Sequence, residues 1–313
     1  MIPKGKVLIA APVHPVLTDG LAEQGYECVV QEKIQQSAAS ALLADCVGVI
    51  TSTRLQLDRY LIDAAPGLRW IGRMGSGMEV IDTIYAAEKN IACFSSPEGN
   101  CNAVGEFALG MLLSVIRNIA VSRNEVQAGQ WLREENRGSE LEGKTIGIIG
   151  YGHTGPAFAK KLRGFDVNIL VYDKYRQDIP LEDHVTICAD LTQIYREADV
   201  VSMHVPLQND THHYINKKFI DDMAKGFVLI NTSRGIVTDT KALLYGLETG
   251  KIKGACLDVW EQEPMDKMDS DMRSLLAKIS CLPQVIVTPH IAGYSVEALY
   301  KMSQVLLYKI MNY

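Results

Sequence analysis

Several protein classes require features that this chain of 313 residues lacks. It has no Cys-x-x-Cys and no His-Glu-x-x-His, and its seven cysteines (Cys28, Cys46, Cys93, Cys101, Cys188, Cys256, Cys281) are scattered. An odd, dispersed set argues for reduced thiols rather than a disulfide framework, and the missing spacings leave no metal site to expect. The adjacent His212 and His213 fall in a polar stretch, where solvation is the expected role. Positive charge is short as well: 31 Lys and Arg against 37 Asp and Glu give a net charge of −6 with no basic stripe, which argues against a nucleic-acid partner. The first apolar run, VLIAAPV from Val7, is ended by proline and His14 before it could span a bilayer. Neither a targeting segment nor a membrane partner is expected, and the expected location is cytoplasmic. No internal repeat or low-complexity linker is evident. With 47% hydrophobic and 22% charged residues, the composition is that of a soluble globular enzyme. The length exceeds one ordinary core and fits two domains of about 100 to 200 residues each.

What is present is organised around Lys144 to Asp173, KTIGIIGYGHTGPAFAKKLRGFDVNILVYD. A short apolar run from Thr145 to Ile149 meets a glycine turn, a helix-like segment with Ala157, Phe158 and Leu162 on one face, and a β-branched run ending at Asp173. That is one βαβ unit. Each glycine has a separate task in a dinucleotide site. Gly150 permits the tight turn, Gly152 lets backbone approach a pyrophosphate, and Gly155 lets helix and strand pack closely. His153 and Thr154 stand where the helix begins, at the positive end of its dipole. Pro156 is tolerable there because proline suits a first helical turn. Asp173, 18 residues beyond Gly155, can accept hydrogen bonds from the ribose hydroxyls of NAD and repel a 2′-phosphate. Lys174 and Arg176 weaken that preference without reversing it.

Strand-like and helix-like segments alternate on both sides of this unit. Before it come KVLIA, YECVV, VGVIT, RWIGRMG and IACFSS, separated by helix-like stretches such as SAASALLAD and DRYLIDAA. A long amphipathic helix from Asn102, NAVGEFALGMLLSVIRNIAVSRNEV, then crosses into the nucleotide domain, and its Met and Leu stripe reads as core or subunit interface. After Asp173 come DVVSMHVP, GFVLINTSRG, GACLDVW and QVIVTPH, then a closing helix from Ser295 expected to pack back on the first domain. The expected fold is α/β. It comprises a doubly wound parallel-sheet (Rossmann) NAD domain over 99–290 and a smaller, discontinuous, flavodoxin-like substrate domain over 1–98 and 291–313.

In such sheets ligands bind beyond the strand C-termini. There NTSRG places Thr232, Ser233 and Arg234, DVWEQEP places Asp258 and Glu263, and TPHIAG places His290 and Gly293. Oxidising a 2-hydroxy acid needs a base for the hydroxyl proton, and His290 suits it. A carboxylate beside the imidazole favours its protonated form and orients the ring, the part open to Glu263, with Glu261 a nearby competitor. Arg234 can grip a substrate carboxylate and polarise the carbonyl, and Asp258 can hold the nicotinamide carboxamide. His204, with Val205 and Pro206 after its strand and Thr211 beyond, reads as lining the cofactor cleft rather than as a second base.

The order of GYGHTG, YD, HVP, NTSRG, DVWEQEP and TPHIAG closely resembles the D-isomer-specific 2-hydroxyacid dehydrogenases over nearly the whole chain. The resemblance implies catalytic roles for Arg234, Glu263 and His290, and it selects Glu263 over Glu261. It also identifies GRMGSGMEVID (Gly72 to Asp82) as a substrate loop, whose amides around Ser76 and Gly77 hold the substrate carboxylate together with Arg234. Within the family the chain looks most like the 3-phosphoglycerate dehydrogenases, in a short form without a regulatory domain, through this loop, PEGN with Asn100, and GQWLR. A phosphate on the substrate implies arginines: Arg73 in the loop, Arg133 reaching across a homodimer, and Arg54 as a displaced substitute for the arginine those enzymes carry near Ser52. D-glycerate dehydrogenase or hydroxypyruvate and glyoxylate reductase is the alternative activity. A nucleotide-sensing, corepressor-like binding protein is the rival from another class, against which the Arg, Glu and His trio argues.

Overall fold

The computed structural model describes residues 4–176 and 184–313. It divides into two units, Met1–Cys101 with Gly293–Tyr313, and Asn102–Ala292. The first opens with β1 (Gly5–Ile9), α1 (Pro15–Glu23), β2 (Tyr26–Val30), α2 (Gln36–Leu43), β3 (Cys46–Thr51), α3 (Arg59–Asp63), β4 (Trp70–Arg73), α4 (Thr83–Glu88) and β5 (Ala92–Ser95). Then follow α5 (Pro97–Ile116), α6 (Ile119–Gln127), β6 (Thr145–Ile149), α7 (Thr154–Leu162), β7 (Asn168–Tyr172), β8 (Val185–Ile187), α8 (Thr192–Glu197) and β9 (Val200–Met203). The remainder is α9 (Lys217–Asp222), β10 (Phe227–Asn231), α10 (Thr240–Glu248), β11 (Ile252–Leu257), α11 (Ser270–Ser280), β12 (Val285–Val287) and α12 (Val296–Met311).

The first unit is a five-stranded parallel sheet in the order β2-β1-β3-β4-β5, the flavodoxin-like arrangement. Side-chain alternation explains why both faces are covered: Val7, Ile9 and Ile50 pack on one side with Leu306 and Ile310 of α12, and Leu8, Val49 and Ile71 on the other with Leu43 and Leu61. Burying Leu306 and Ile310 contributes roughly 3 to 6 kcal/mol, enough to hold the end of the chain on this sheet. The second unit is a seven-stranded sheet, β12-β11-β10-β9-β6-β7-β8, parallel throughout and doubly wound about β6.

Two elements differ from the sequence reading. The helix expected from Asn102 starts at Pro97, so the division between units, after Cys101 rather than after residue 98, falls inside α5, and PEGN forms its first turn. It also breaks into α5 and α6 at Asn118, whose φ of +55° lies in the left-handed region that asparagine tolerates. By length and composition α5 could cross a bilayer. In the fold its Ala108, Met111, Leu112 and Val115 pack against Ile146, Ile148 and Phe158 as a core helix. The second difference is β8, which the sequence reading passed over: it has three residues, and only Val185 is buried.

Candidate active site

The strands of the second unit end in register. Tyr172, Ile149, Met203, Asn231, Leu257 and Val287 are successive partners across the sheet. One residue further along each strand therefore come Asp173, Gly150, His204, Thr232, Asp258 and Thr288, all on the C-terminal rim. Parallel pairing itself gathers the sequence-predicted residues.

At the glycine turn, space decides what is allowed. Gly150 has φ +93°, and a Cβ there would stand 2.4 Å from the carbonyl oxygen of His204. A Cβ on Gly155 would stand 2.3 Å from the carbonyl oxygen of Gly150, whereas one on Gly152 would meet nothing within 4 Å. The exposed His153 makes no side-chain cap, so the first amides of α7 keep their capacity for an anion. Beside them Thr154 Oγ1 lies 3.1 Å from Nδ1 of His204, whose Nε2 lies 2.8 Å from Ser202 Oγ. Burial pushes the His204 pKa down to about 3, so its imidazole is neutral at ordinary pH.

Asp173 is fixed beside this turn. Its Oδ2 accepts from the amide of Tyr151 at 2.6 Å, and its Oδ1 accepts from the amides of Tyr175 and Arg176, each at 2.9 Å. A carboxylate has about four lone-pair sites, so these three donors leave capacity for a hydroxyl. Lys174 pairs with Asp210, and Arg176 Nη1 donates to the Tyr151 carbonyl at 2.9 Å. Both cations are thus engaged locally. After β9, Val205 is half-buried and Pro206 exposed, while Thr211 Oγ1 donates to the Pro206 carbonyl at 2.7 Å and closes that loop on itself. After β10, Ser233 Oγ donates to Asn231 Oδ1 at 2.8 Å, but the buried Thr232 Oγ1 has no hydrogen-bond partner among the described residues. Open space at Gly152, uncapped amides on α7 and an orphaned hydroxyl at Thr232 all fit a dinucleotide.

The segments after β10, β11 and β12 are locked to one another. Asn231 Nδ2 donates to the Arg234 carbonyl at 2.9 Å and shapes the NTSRG turn, and Arg234 Nη1 donates to the Ser233 carbonyl at 2.7 Å. Gly235 lies so close to the next segment that a Cβ would fall 1.8 Å from the Trp260 carbonyl oxygen. Glu263 Oε1 accepts from the Trp260 amide at 2.5 Å, and Oε2 lies 2.8 Å from Nδ1 of His290. With Nδ1 held by the carboxylate, Nε2 is the nitrogen left for proton exchange. His290 itself has φ +57°, a conformation that needs support.

Asp258 supplies that support. It is only 1% exposed, and its carboxylate accepts from Thr288 Oγ1 at 2.5 Å and from the amides of Ile291 and Ala292 at 2.9 and 2.7 Å. Its carbonyl accepts from the His290 amide at 2.7 Å. Three of its lone-pair sites thus go to the loop that carries His290, a duty that spacing alone gave no sign of. Geometry also separates the two neighbouring glutamates. Glu263 faces His290, while Glu261 Oε1 lies 2.8 Å from Nε2 of His213. His213 is therefore held by an acid rather than simply solvated.

In the first unit Ser76 Oγ donates to Asn100 Oδ1 at 3.2 Å, and a Cβ on Gly293 would stand 2.8 Å from Asn100 Nδ2, so these three lie together with Gly77 beside them. Arg73 folds back on its own loop. Its Nη1 donates to the Met74 carbonyl at 2.7 Å and lies over Gly75, where a Cβ would meet it at 1.5 Å. Arg54 in this unit and Arg133 in the other are exposed.

Residues 109–292 match the family model described as D-isomer specific 2-hydroxyacid dehydrogenase, NAD binding domain. The chain is 33% identical over 284 residues to a hydroxypyruvate reductase of Thermotoga maritima, covering 90% of this chain and 89% of that protein. It is 30% identical to a D-3-phosphoglycerate dehydrogenase of Archaeoglobus fulgidus over 98% of this chain, which spans 57% of that longer protein. Its fold is similar to the crystal structure of a D-lactate dehydrogenase from Aquifex aeolicus complexed with NAD and lactic acid, with a TM-score of 0.83, 26% identity, and coverage of 98% of this chain and 94% of that one. The chain belongs to the D-isomer-specific 2-hydroxyacid dehydrogenase family and is an NAD-dependent oxidoreductase of that class.

Proposed function

We propose that the protein interconverts a short, unphosphorylated D-2-hydroxy acid and its 2-keto acid, of the size of glycerate and hydroxypyruvate or glycolate and glyoxylate. NAD, bound along the glycine turn, supplies or accepts the hydride. In the reductive direction His290 delivers a proton from Nε2 to the carbonyl oxygen, while Glu263, bonded to Nδ1, holds the ring's orientation. Arg234 binds the substrate carboxylate and polarises the carbonyl. Asp258 holds the His290 loop.

The observation that carries the chemistry is the 2.8 Å bond between Glu263 and His290, on the rim that also bears Gly152 and Thr232. The preference for a small acid rests on Arg73. A phosphomonoester carries nearly two charges and calls for several free guanidinium groups, yet Arg73 is turned onto the Met74 carbonyl, and Ser52 stands where another arginine was expected. A second reading, 3-phosphoglycerate and phosphohydroxypyruvate, is favoured by the likeness to the Archaeoglobus fulgidus protein along 98% of this chain.

NADH oxidation with glyoxylate, hydroxypyruvate, pyruvate and phosphohydroxypyruvate separates the two. Hydroxypyruvate or glyoxylate is expected to give the highest kcat/KM. A preference of about tenfold or more for phosphohydroxypyruvate, worth roughly 1.4 kcal/mol, would establish the second reading.

A further inference from the structure

Glu261 touches neither His290 nor Arg234 through any bond described above, yet it sits where three loops meet. Its Oε2 accepts from the Thr240 amide at 3.0 Å and from Thr240 Oγ1 at 2.6 Å, at the end of the loop that begins with Arg234. Its Oε1 binds His213, in the loop after β9. That loop is stitched to the Arg234 loop by backbone bonds, from the His213 amide to the Ile236 carbonyl at 2.9 Å and from the Ile215 amide to the Val237 carbonyl at 3.0 Å. Glu261 itself follows Trp260, whose amide holds Glu263 and whose carbonyl lies against Gly235. One carboxylate thus ties the segment presenting Glu263 to both neighbouring loops.

A simpler role is available, that of a cap for α10. Asp239 already fills it, accepting from the amides of Lys241 and Ala242 at 2.9 and 3.1 Å. A cap also needs no bond to His213. Resting on the function proposed above, we infer that Glu261 is a positioning residue for the Glu263–His290 pair. By holding Trp260 and its neighbours in place, it keeps the Glu263 carboxylate on Nδ1 of His290, so its loss alters proton transfer before it alters cofactor binding.

The test compares the unmodified enzyme with Glu261→Ala, Glu261→Gln and Thr240→Val. The measurements are kcat for hydroxypyruvate or glyoxylate reduction across pH, the NADH dissociation constant by fluorescence, and the melting temperature. Glu261→Ala is expected to lower kcat about ten- to a hundredfold, the scale of a small misplacement of catalytic groups, with NADH affinity retained. Its pH profile should change as in Glu263→Gln, because both variants disturb the carboxylate held on Nδ1 of His290. Glu261→Gln should restore most of kcat and the profile, since its carbonyl oxygen still accepts from Thr240 and its amide still reaches Nε2 of His213. Thr240→Val removes one bond of the three and should show the same displacement, smaller, which keeps the inference testable if Glu261→Ala fails to fold.

An unchanged kcat and profile in Glu261→Ala, or in Thr240→Val where the alanine variant does not fold, would overturn it. So would a loss that follows melting temperature alone and is not rescued by glutamine. An unmodified enzyme inactive on every keto acid, or an unchanged profile in Glu263→Gln, would instead count against the proposed function.

Discussion

The glycine turn after β6 and the loops after β10, β11 and β12 share one sheet rim but are built in opposite ways. At the turn, what matters is missing atoms. Gly150 and Gly155 leave no room for a Cβ, and Gly152 faces open space. In the loops, what matters is side chains spent on backbone: Asp258 on the amides of Ile291 and Ala292, Glu263 on Trp260, and Asn231 on Arg234. The cofactor side should therefore tolerate no added methyl, and the catalytic side no removed polar atom. Each region fails in its own way, the first through fold and affinity, the second through kcat.

The comparison is sharpest within the turn itself. Gly150→Ala and Gly155→Ala place a Cβ within 2.4 and 2.3 Å of backbone oxygen, so the turn must shift. Each is expected to cost on the order of 1 to 3 kcal/mol, seen as a lower melting temperature, together with loss of NADH binding. Gly152→Ala meets nothing within 4 Å and should melt like the unmodified protein. It should nevertheless weaken NADH by about tenfold or more, roughly 1.4 kcal/mol, in a fluorescence titration. Unchanged affinity in Gly152→Ala would remove the dinucleotide from this side of the turn. The three variants together distinguish space filled by protein from space kept for a ligand.

A smaller effect comes from His204, which braces the turn from beneath through Thr154. Its folded pKa of about 3 lies below the ordinary 6.5, so between those values the unfolded chain binds more protons than the folded one. The stability it contributes is complete above the ordinary value and is lost as pH falls toward the folded one, by up to about 1.4 kcal/mol per pH unit. Urea melts at neutral and mildly acidic pH should show this decline, and His204→Gln should flatten it. A decline of equal steepness in the variant would assign the acid sensitivity to other groups.

Much of this architecture was legible because it is local. Buried β-branched runs such as VVSM and FVLIN declare strands, and a glycine turn between strand and helix declares its own geometry. Arg234, Glu263 and His290 could be placed beyond one sheet rim because parallel strands in register gather whatever follows their C-termini, although spacing left Glu263 and Glu261 open and the family resemblance chose between them. The three-residue edge strand β8 left no periodic signal, and the break at Asn118 depends on a single backbone conformation. Bonds between distant positions were illegible for another reason. The 48-residue separation of His213 from Glu261 and the 34-residue separation of Asp258 from Ala292 leave no trace in spacing. Arg73 marks the limit on the substrate side, since a sequence shows a guanidinium but not that it folds onto the Met74 carbonyl.

The central claim is that His290, held by Glu263, moves the proton at a rim that binds NAD independently of it. Single-turnover reduction of hydroxypyruvate or glyoxylate by His290→Asn, preloaded with NADH, tests this most directly. The account predicts a rate lower by about 10² to 10⁴, the usual contribution of a general acid, with the NADH dissociation constant unchanged. A near-normal rate with NADH bound would contradict it.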